Sequence, residues 1–305
     1  MKTPLPLRTP VSLTSDPPTK EAPERAAPED YSALKVVPVR NPWRWVAVAA
    51  TAVLVAQFAH GLITNPGWEW EVFADFFATE TILKAVWITL QLTFYGTALG
   101  FALGIVLAFM RLSRSPFLKS VAFTYIWAFR SIPLIVQLLF WFNLTYLYKK
   151  LDFGIPFGPG FFSFDTAGLV GAMSAAVLGL ALHQAAYAAE IVRGGVLAVD
   201  TGQLEAAAAL GIPRLRQLRR IVLPQAMRSI LPNAANEVIS LFKGTSIVSV
   251  MAIGELFYQT QVIYGRNGRV VPLLMVATVW YIILTTLLSI AQYYVERHFS
   301  RGATR

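Results

Sequence analysis

The sequence predicts an all-α protein, a polytopic bundle of six membrane-spanning helices. Hydrophobic residues make up 55% of the 305 residues, charged residues only 14%, and the mean hydropathy is +0.53. Soluble domains carry more charge than this. Six apolar stretches are long enough to cross a bilayer, whose core of about 30 Å needs roughly 20 helical residues. Lys and Arg cluster in alternate connections between these stretches, as they do in membrane proteins.

The predicted spans follow one another with polar connections between them. They cover residues 45–63, 82–110, 121–147, 167–191, 230–257 and 271–294. Several stretches exceed the minimum length, so we expect these helices to tilt or to continue into water. Residues 44–64 form the first helix, and residues 82–299 form the remaining bundle.

The first 43 residues form a separate region. Nine of the eighteen prolines lie there, among mixed charges and few large apolar side chains. Such a segment cannot bury enough apolar surface to offset its ordering entropy, so residues 1–43 are predicted to be a disordered cytoplasmic tail. A cleaved signal peptide is excluded because the first apolar stretch begins only near Trp45 and is long enough to span.

The positions of Lys and Arg predict the orientation in the membrane. With the N-terminus placed in the cytoplasm, the inner segments hold nineteen of these residues and the outer loops hold four. This bias predicts that both termini and the connection over residues 200–224 are cytoplasmic. It also accounts for the net charge of +9 without nucleic acid as a partner.

The connection over residues 200–224 has a local pattern of its own. Residues 204–210 are nearly all strong helix formers, so a short helix is expected. Gly211 lies where a helix end favours a left-handed residue, and Pro213 suits the first turn of a second helix. A helix, a glycine corner and another helix form a compact knob that fits a groove on another protein. The alternative is an ordinary cytoplasmic loop with good helix formers.

The spacing within this connection resembles the EAA loop of permease subunits in ABC-type importers. Every fixed position of that pattern is present: Glu205, Ala206, Ala207, Gly211, Ile221, Leu223 and Pro224. The resemblance implies that this loop couples the chain to a dimer of cytoplasmic ABC ATPase subunits.

Three further segments resemble permeases that import polar amino acids such as histidine, glutamate, glutamine, arginine and opines. They run from Arg130 through Pro133 to Gln137, from Ala186 through Tyr187 and Glu190 to Gly195, and from Leu241 through Lys243 and Thr245 to Ser246. The resemblance covers residues 82–299 and implies a type I importer core of five helices, to which residues 44–64 add one helix.

This resemblance also implies a set of partners and a location. The partners are a second permease subunit, identical or related, the ATPase dimer, an extracytoplasmic amino-acid-binding protein and the lipid bilayer. The location is the bacterial cytoplasmic (inner) membrane. The substrate reading rests on the resemblance, and the nature of the amino acid stays open.

Tyr187 and Glu190 lie three residues apart in the fourth span and therefore share a helical face. A charge inside a span is a functional candidate because burying it is costly. The phenol and the carboxylate are suited to hold the ammonium group or a basic side chain of an amino acid. In the alternative interpretation, Glu190 pairs with Arg193 and only orients the adjoining loop.

Arg130 precedes Pro133 in the third span, and Gln137 follows. A proline inside a helix frees a carbonyl and bends the helix, and such freed groups in membranes line cavities. Arg130 suits a substrate carboxylate through its fork of donors. An ion pair with Glu190 or Glu237 is the favoured alternative.

Lys243, Thr245 and Ser246 give the fifth span a cation and two hydroxyls beside a glycine. A glycine-interrupted polar patch in a span is one indication of a binding site. Close helix packing is the favoured alternative, since Gly, Ser and Thr let helices approach.

Other chemistries are excluded by missing patterns. The three histidines do not approach metal-ligand spacing, so no metal site is predicted. The chain has no phosphate-binding loop, so ATP is expected to be bound by the partner subunits and the chain itself is not predicted to be an enzyme. Two alternatives remain open: an ion-coupled carrier that works without an ATPase, and an importer permease for another small polar solute.

Overall fold

The computed structural model describes residues 42–155, 160–165 and 171–300. Two compact units are distinguished, Met1–His60 and Gly61–Arg305. The predicted all-α fold is confirmed, because four helices are long and apolar enough to cross a membrane and two bent helix pairs raise the number to six. The tail predicted for residues 1–43 lies outside the described residues except at its last two positions.

The N-terminal half contains six α-helices of very different length among the residues described. They are α1 (Pro42–Thr64), α2 (Trp70–Phe77), α3 (Glu80–Leu112), α4 (Pro116–Ser131), α5 (Leu134–Phe142) and the single turn α6 (Leu144–Leu147). The first unit contains most of α1, whose 23 residues correspond to about 35 Å at 1.5 Å per residue. None of its residues is buried.

The C-terminal half is helical after a small hairpin. Strands β1 (Lys150–Gly154) and β2 (Gly160–Asp165) pair antiparallel and were not expected from the sequence. The helices that follow are α7 (Ala172–Leu197), α8 (Thr201–Ala209), α9 (Arg214–Gln217), α10 (Leu223–Gly244), α11 (Leu256–Asn267) and α12 (Val270–Ser300).

Helices α3 and α7 pack closely because glycines line their contact. Gly96, Gly100 and Gly104 are spaced by four residues and are all buried on α3. A Cβ atom at position 100 would lie 2.5 Å from the Cβ of Gln184, and one at position 104 would lie 2.6 Å from the Cβ of Ala188. Small residues at this spacing let two membrane helices approach without side chains between them. Helix α7 thereby becomes the centre of the bundle.

The third predicted span is broken. Helices α4 and α5 meet at an angle of 103° around Pro133, which confirms the bend expected there. The side-chain amide of Gln137 closes the break. Its Nε2 donates to the carbonyl oxygens of Phe129 and Ile132 at 2.8 and 2.7 Å, and it lies 3.2 Å from Nδ1 of His183.

The fifth predicted span is also interrupted. Helix α10 tightens into a 3₁₀ segment over Thr245–Met251, Ala252 adopts a left-handed backbone with φ of 56°, and α11 continues after a bend of 45°. The chain therefore presents free backbone amides at the start of α11, in a region where water is scarce.

Side-chain oxygens bind these amides. The fully buried carboxylate of Glu255 accepts hydrogen bonds from the amides of Phe257 and Tyr258 at 3.0 and 2.6 Å. The amide of Leu256 donates to the hydroxyl of Thr89 on α3, at 3.0 Å. The second break is thus capped from its own segment and from a neighbouring helix.

We expect a methyl group at position 104 to destabilise the fold. In Gly104→Ala the new Cβ meets Ala188 and the carbonyl oxygen of Ala185, at 3.0 Å, so α3 and α7 must separate. The cost is about 1–3 kcal/mol. Gly265→Ala is the matched control, because a Cβ there meets nothing within 4 Å and alanine favours a helix.

The measurement is the midpoint temperature of unfolding in detergent. It should fall for Gly104→Ala and stay equal or rise for Gly265→Ala. Equal midpoints for the two variants would show that the α3–α7 contact tolerates separation.

Candidate functional site

The predicted knob is present between α7 and α10. Helix α8 begins after Asp200, whose Oδ1 accepts a hydrogen bond from the amide of Gly202 at 2.8 Å. Its sequence is mostly alanine with leucine and glutamate, which explains the helix. The sequence-based prediction of a short helix here is correct.

The end of α8 forms a Schellman motif. Gly211 has a φ of 68° and its amide donates to the carbonyl oxygen of Ala208, while the amide of Ile212 donates to that of Ala207. Both bonds are 3.0 Å long. Only glycine adopts this backbone without strain, so the corner depends on the residue at 211.

The second arm of the knob begins one residue later than expected. Pro213 precedes α9 as its N-cap and does not lie in its first turn. A π-helical turn over Leu218–Val222 then joins α9 to α10. The side-chain Nε2 of Gln225, in the first turn of α10, donates to Oε1 of Gln203 on α8 at 2.5 Å and so ties α8 to α10.

The seven residues of the loop pattern divide between the interior and the surface of the knob. Ala207 is buried and Ile221 is half-buried, whereas Glu205, Ala206, Gly211, Leu223 and Pro224 are exposed. Two leucines outside the pattern stand out: Leu210 and Leu215 are 79% and 59% exposed. The surface of the knob therefore carries apolar side chains and the carboxylate of Glu205 on α8.

A second cluster of residues lines two cavities, one between α4, α7 and α10 and the other between α3, α4 and α7. Each has a volume of about 340 Å³, and Arg130, Tyr187 and Glu190 line both. The structure thus brings together three of the residues singled out from the sequence. Their elements explain this, because Arg130 occupies the last turn of α4 before the break and the other two share a face of α7.

Glu190 already has a cationic partner. Its carboxylate accepts three hydrogen bonds from the guanidinium of Arg193, with a shortest distance of 2.6 Å, and Nε of Arg111 lies 3.9 Å away. This is the alternative interpretation considered for Glu190. The pair neutralises a carboxylate that is only 21% exposed.

Arg130 does not pair as expected. Its guanidinium lies over the ring of Tyr187, 5.3 Å from the centroid, and within the described part of the chain it forms no ion pair within 4 Å. Arg130 thus forms no direct ion pair with Glu190 or Glu237 in the described chain, although both carboxylates lie near enough to attract it electrostatically. The aromatic face replaces the ion pair, because a planar guanidinium stacks well on a phenol ring.

Three polar residues of α10 complete one cavity and were not picked out as site residues. They are Ser229, Asn233 and Glu237, and they recur every four residues on one face. Glu237 is half-buried and, like Arg130, has no ion pair within 4 Å among the residues described. The signal was available, since a carboxylate inside a predicted span is itself a functional candidate.

The remaining candidates lie elsewhere. Pro133 and Gln137 form and close the break between α4 and α5. Thr245 and Ser246 donate to the carbonyl oxygens of Phe242 and Lys243 at 2.6 and 2.8 Å, and Lys243 is exposed. None of these five residues lines either cavity.

The described residues contain no group of three or more His, Asp or Glu side chains able to hold a metal ion. The site is therefore one of charged and hydrogen-bonding side chains. Its cavities are of the size that a small polar solute occupies.

Comparison with known proteins identifies the family. Residues 100–301 match the family described as the binding-protein-dependent transport system inner membrane component. The arginine transport system permease protein ArgU of Corynebacterium glutamicum is 40% identical over 274 residues, which cover 89% of this chain and 85% of the relative. The octopine transport system permease protein OccM of Rhizobium radiobacter is 37% identical, covering 72% of this chain and 84% of the relative.

A solved structure agrees in both sequence and fold. The crystal structure of an amino acid ABC transporter with histidines superimposes with a TM-score of 0.61 at 33% identity, covering 72% of this chain and 94% of that one. The chain therefore belongs to the binding-protein-dependent transport permeases and is a multi-pass membrane subunit of a bacterial ABC importer, a non-enzymatic component that works with an ATPase and a binding protein.

Proposed function

We propose that this permease imports polar amino acids and that Arg130 and Glu237 contact the substrate. The observation that carries the proposal is a cavity between membrane helices with a guanidinium and a carboxylate that have no ion-pair partner within 4 Å in the described chain. Charges of both signs inside a span are costly unless a ligand or another group balances them.

The chemistry of the cavity suits the two ends of an amino acid. Arg130 offers a fork of donors to a carboxylate while Tyr187 holds the guanidinium plane. Glu237 offers an acceptor for the ammonium group, and Asn233 and Ser229 supply further hydrogen bonds. Two relatives are named for arginine and octopine transport, which supports an amino-acid substrate.

Glu190 acts in this proposal as a positioning residue. Its bond to Arg193 occupies the carboxylate, and its proximity to Arg111 links the end of α3 to α7. It thereby lowers the positive potential around Arg130 and fixes the wall of the cavity. Of the remaining sequence candidates, Thr245 and Ser246 bind carbonyl oxygens of their own segment, and Lys243 is exposed, so none of the three contacts the substrate in this proposal.

The knob transmits the work of the ATPase. In this proposal, the loop that contains Glu205 and Gly211 docks into a groove on one subunit of a cytoplasmic ATPase dimer. The ATPase dimer binds the ATP. A second permease subunit, identical or related, forms the other half of the pathway, and an extracytoplasmic binding protein delivers the amino acid. Helix α10 follows the knob directly and carries the cavity residues, so movement of the knob reaches the cavity.

Reconstitution tests the function. The permease, its ATPase and its binding protein are inserted into liposomes, and uptake of radiolabelled arginine is measured with and without ATP. We expect uptake only with ATP and all subunits present. Uptake by the permease alone, driven by an ion gradient, would establish the ion-coupled carrier instead.

Gly211→Leu should uncouple transport from ATP hydrolysis or detach the ATPase. A leucine in the left-handed conformation costs about 1–2 kcal/mol, so the Schellman corner opens. Gly211→Asn is the matched control, because asparagine also adds a side chain but adopts the left-handed backbone more readily than leucine. Co-purification of the ATPase and arginine uptake are measured in both. Normal association and uptake in Gly211→Leu would contradict the role of the corner.

Glu237→Gln should weaken substrate binding without affecting assembly. A hydrogen bond to a charged group contributes roughly 1.5–3 kcal/mol, which corresponds to about a tenfold or greater loss of affinity. Binding of radiolabelled arginine to the purified permease–ATPase complex is the measurement. Glu190→Gln provides the contrast, because it leaves Arg193 without its partner and should lower the unfolding midpoint. Unchanged affinity in Glu237→Gln would remove Glu237 from the site.

Both termini are proposed to be cytoplasmic, in the cytoplasmic membrane of a bacterium. The observation is the unequal distribution of Lys and Arg among the connections. Reporter fusions at Asp75 and after Arg305 should therefore report opposite sides of the membrane. Two fusions that report the same side would refute the proposed orientation.

A further inference from the structure

The hairpin between α6 and α7 carries an unusual concentration of exposed aromatic side chains. Phe161 is 64% exposed and Phe162 is 68% exposed on β2. Tyr146 in α6 and Tyr148, between α6 and β1, are 86% and 55% exposed. Large aromatic rings exposed together mark a surface that contacts lipid or another molecule.

The chain length fixes where this surface can be. The bent pair α4 and α5 ends at Phe142 and β1 begins at Lys150, so seven residues, four of them in α6, separate the end of the third span from the hairpin. The four residues of α6 rise by only about 6 Å, and the other three extend by at most about 10 Å. The start of the hairpin therefore lies at the membrane face at which the third span ends, within reach of the lipid headgroups.

The pairing of the strands separates two faces. Phe162 and Phe164 lie two residues apart on β2 and share one side of the hairpin, in register with positions 153 and 151 of β1. The other side holds the pairs Lys150 with Asp165 and Asp152 with Ser163. Phe161, beside the turn, belongs to neither set of pairs, because the register shifts between Phe153 and Gly154. One side is thus apolar in sequence and the other polar.

We propose that the hairpin is an interfacial anchor that lies in the lipid headgroup region, with the face of Phe162 toward the acyl chains. Aromatic side chains are enriched at this depth because their rings suit the boundary between hydrocarbon and water. The exposed Lys149 stands at the junction, where an ammonium group reaches lipid phosphates. The polar face, with Ser163, points to water. This inference is independent of the proposed substrate site.

The sequence contains no cysteine, so single cysteines can be labelled without a change of background. The test uses Phe162→Cys and Ser163→Cys, neighbours on opposite faces, each carrying a nitroxide label. The full permease–ATPase complex is reconstituted in liposomes of phosphatidylethanolamine and phosphatidylglycerol. Collision of the label with oxygen, which concentrates in lipid, is compared with collision with a water-soluble nickel chelate. ATP hydrolysis by each labelled complex verifies assembly.

The label at 162 should collide severalfold more with oxygen than the label at 163, and the order should reverse for the nickel chelate. Equal accessibility to the chelate at both positions would overturn the proposal, because the hairpin would then stand in water. A second result would also overturn it: the label at 162 collides with the chelate in the complex alone and is protected only when the binding protein is added. The hairpin would then be a protein-docking surface.

Discussion

The bundle depends on one constraint: a backbone amide or carbonyl inside a membrane needs a partner within the protein. Each unpaired group costs several kcal/mol in hydrocarbon. Continuous helices meet this requirement by themselves, but the third and fifth spans are broken. Gln137 binds the freed carbonyls of the first break, while Glu255 and Thr89 bind the freed amides of the second. The hydroxyl of Tyr281 also contacts Glu255, at 3.2 Å.

These breaks place the polar groups of the cavity. Helix α4 ends just after Arg130, so its guanidinium reaches sideways over Tyr187 instead of following a continuous helix. Helix α10 runs from the knob to the second break and carries Asn233 and Glu237 along the cavity wall. One helix thus connects the knob to the cavity. In the proposed function, a displacement of the knob changes the spacing of charges in the cavity through this helix.

Most of the fold could be predicted from the sequence, and so could the knob, but the contacts within the cavity could not. Long apolar stretches predicted the spans, and the glycine at 211 predicted the corner of the knob, because both features are local. The partner of Arg130 was not predictable, since an arginine's choice between a carboxylate and a phenol ring depends on the 103° bend beside it. Glu255 was missed inside an apolar stretch, although a charge there signals a function or a cap. The contact of α3 with α7 was also missed. It could have been predicted from the four-residue spacing of Gly96, Gly100 and Gly104, which is typical of a helix-packing surface.

Hydrogen–deuterium exchange at the second break tests the central constraint most directly. The amides of Phe257 and Tyr258 are bound by Glu255 in the native protein, so they should exchange slowly. In Glu255→Leu the two amides lose their acceptors, and we expect their exchange to become faster while helix α3 keeps its protection. Equally slow exchange of both amides in the variant would contradict the conclusion that a side chain holds the broken span together.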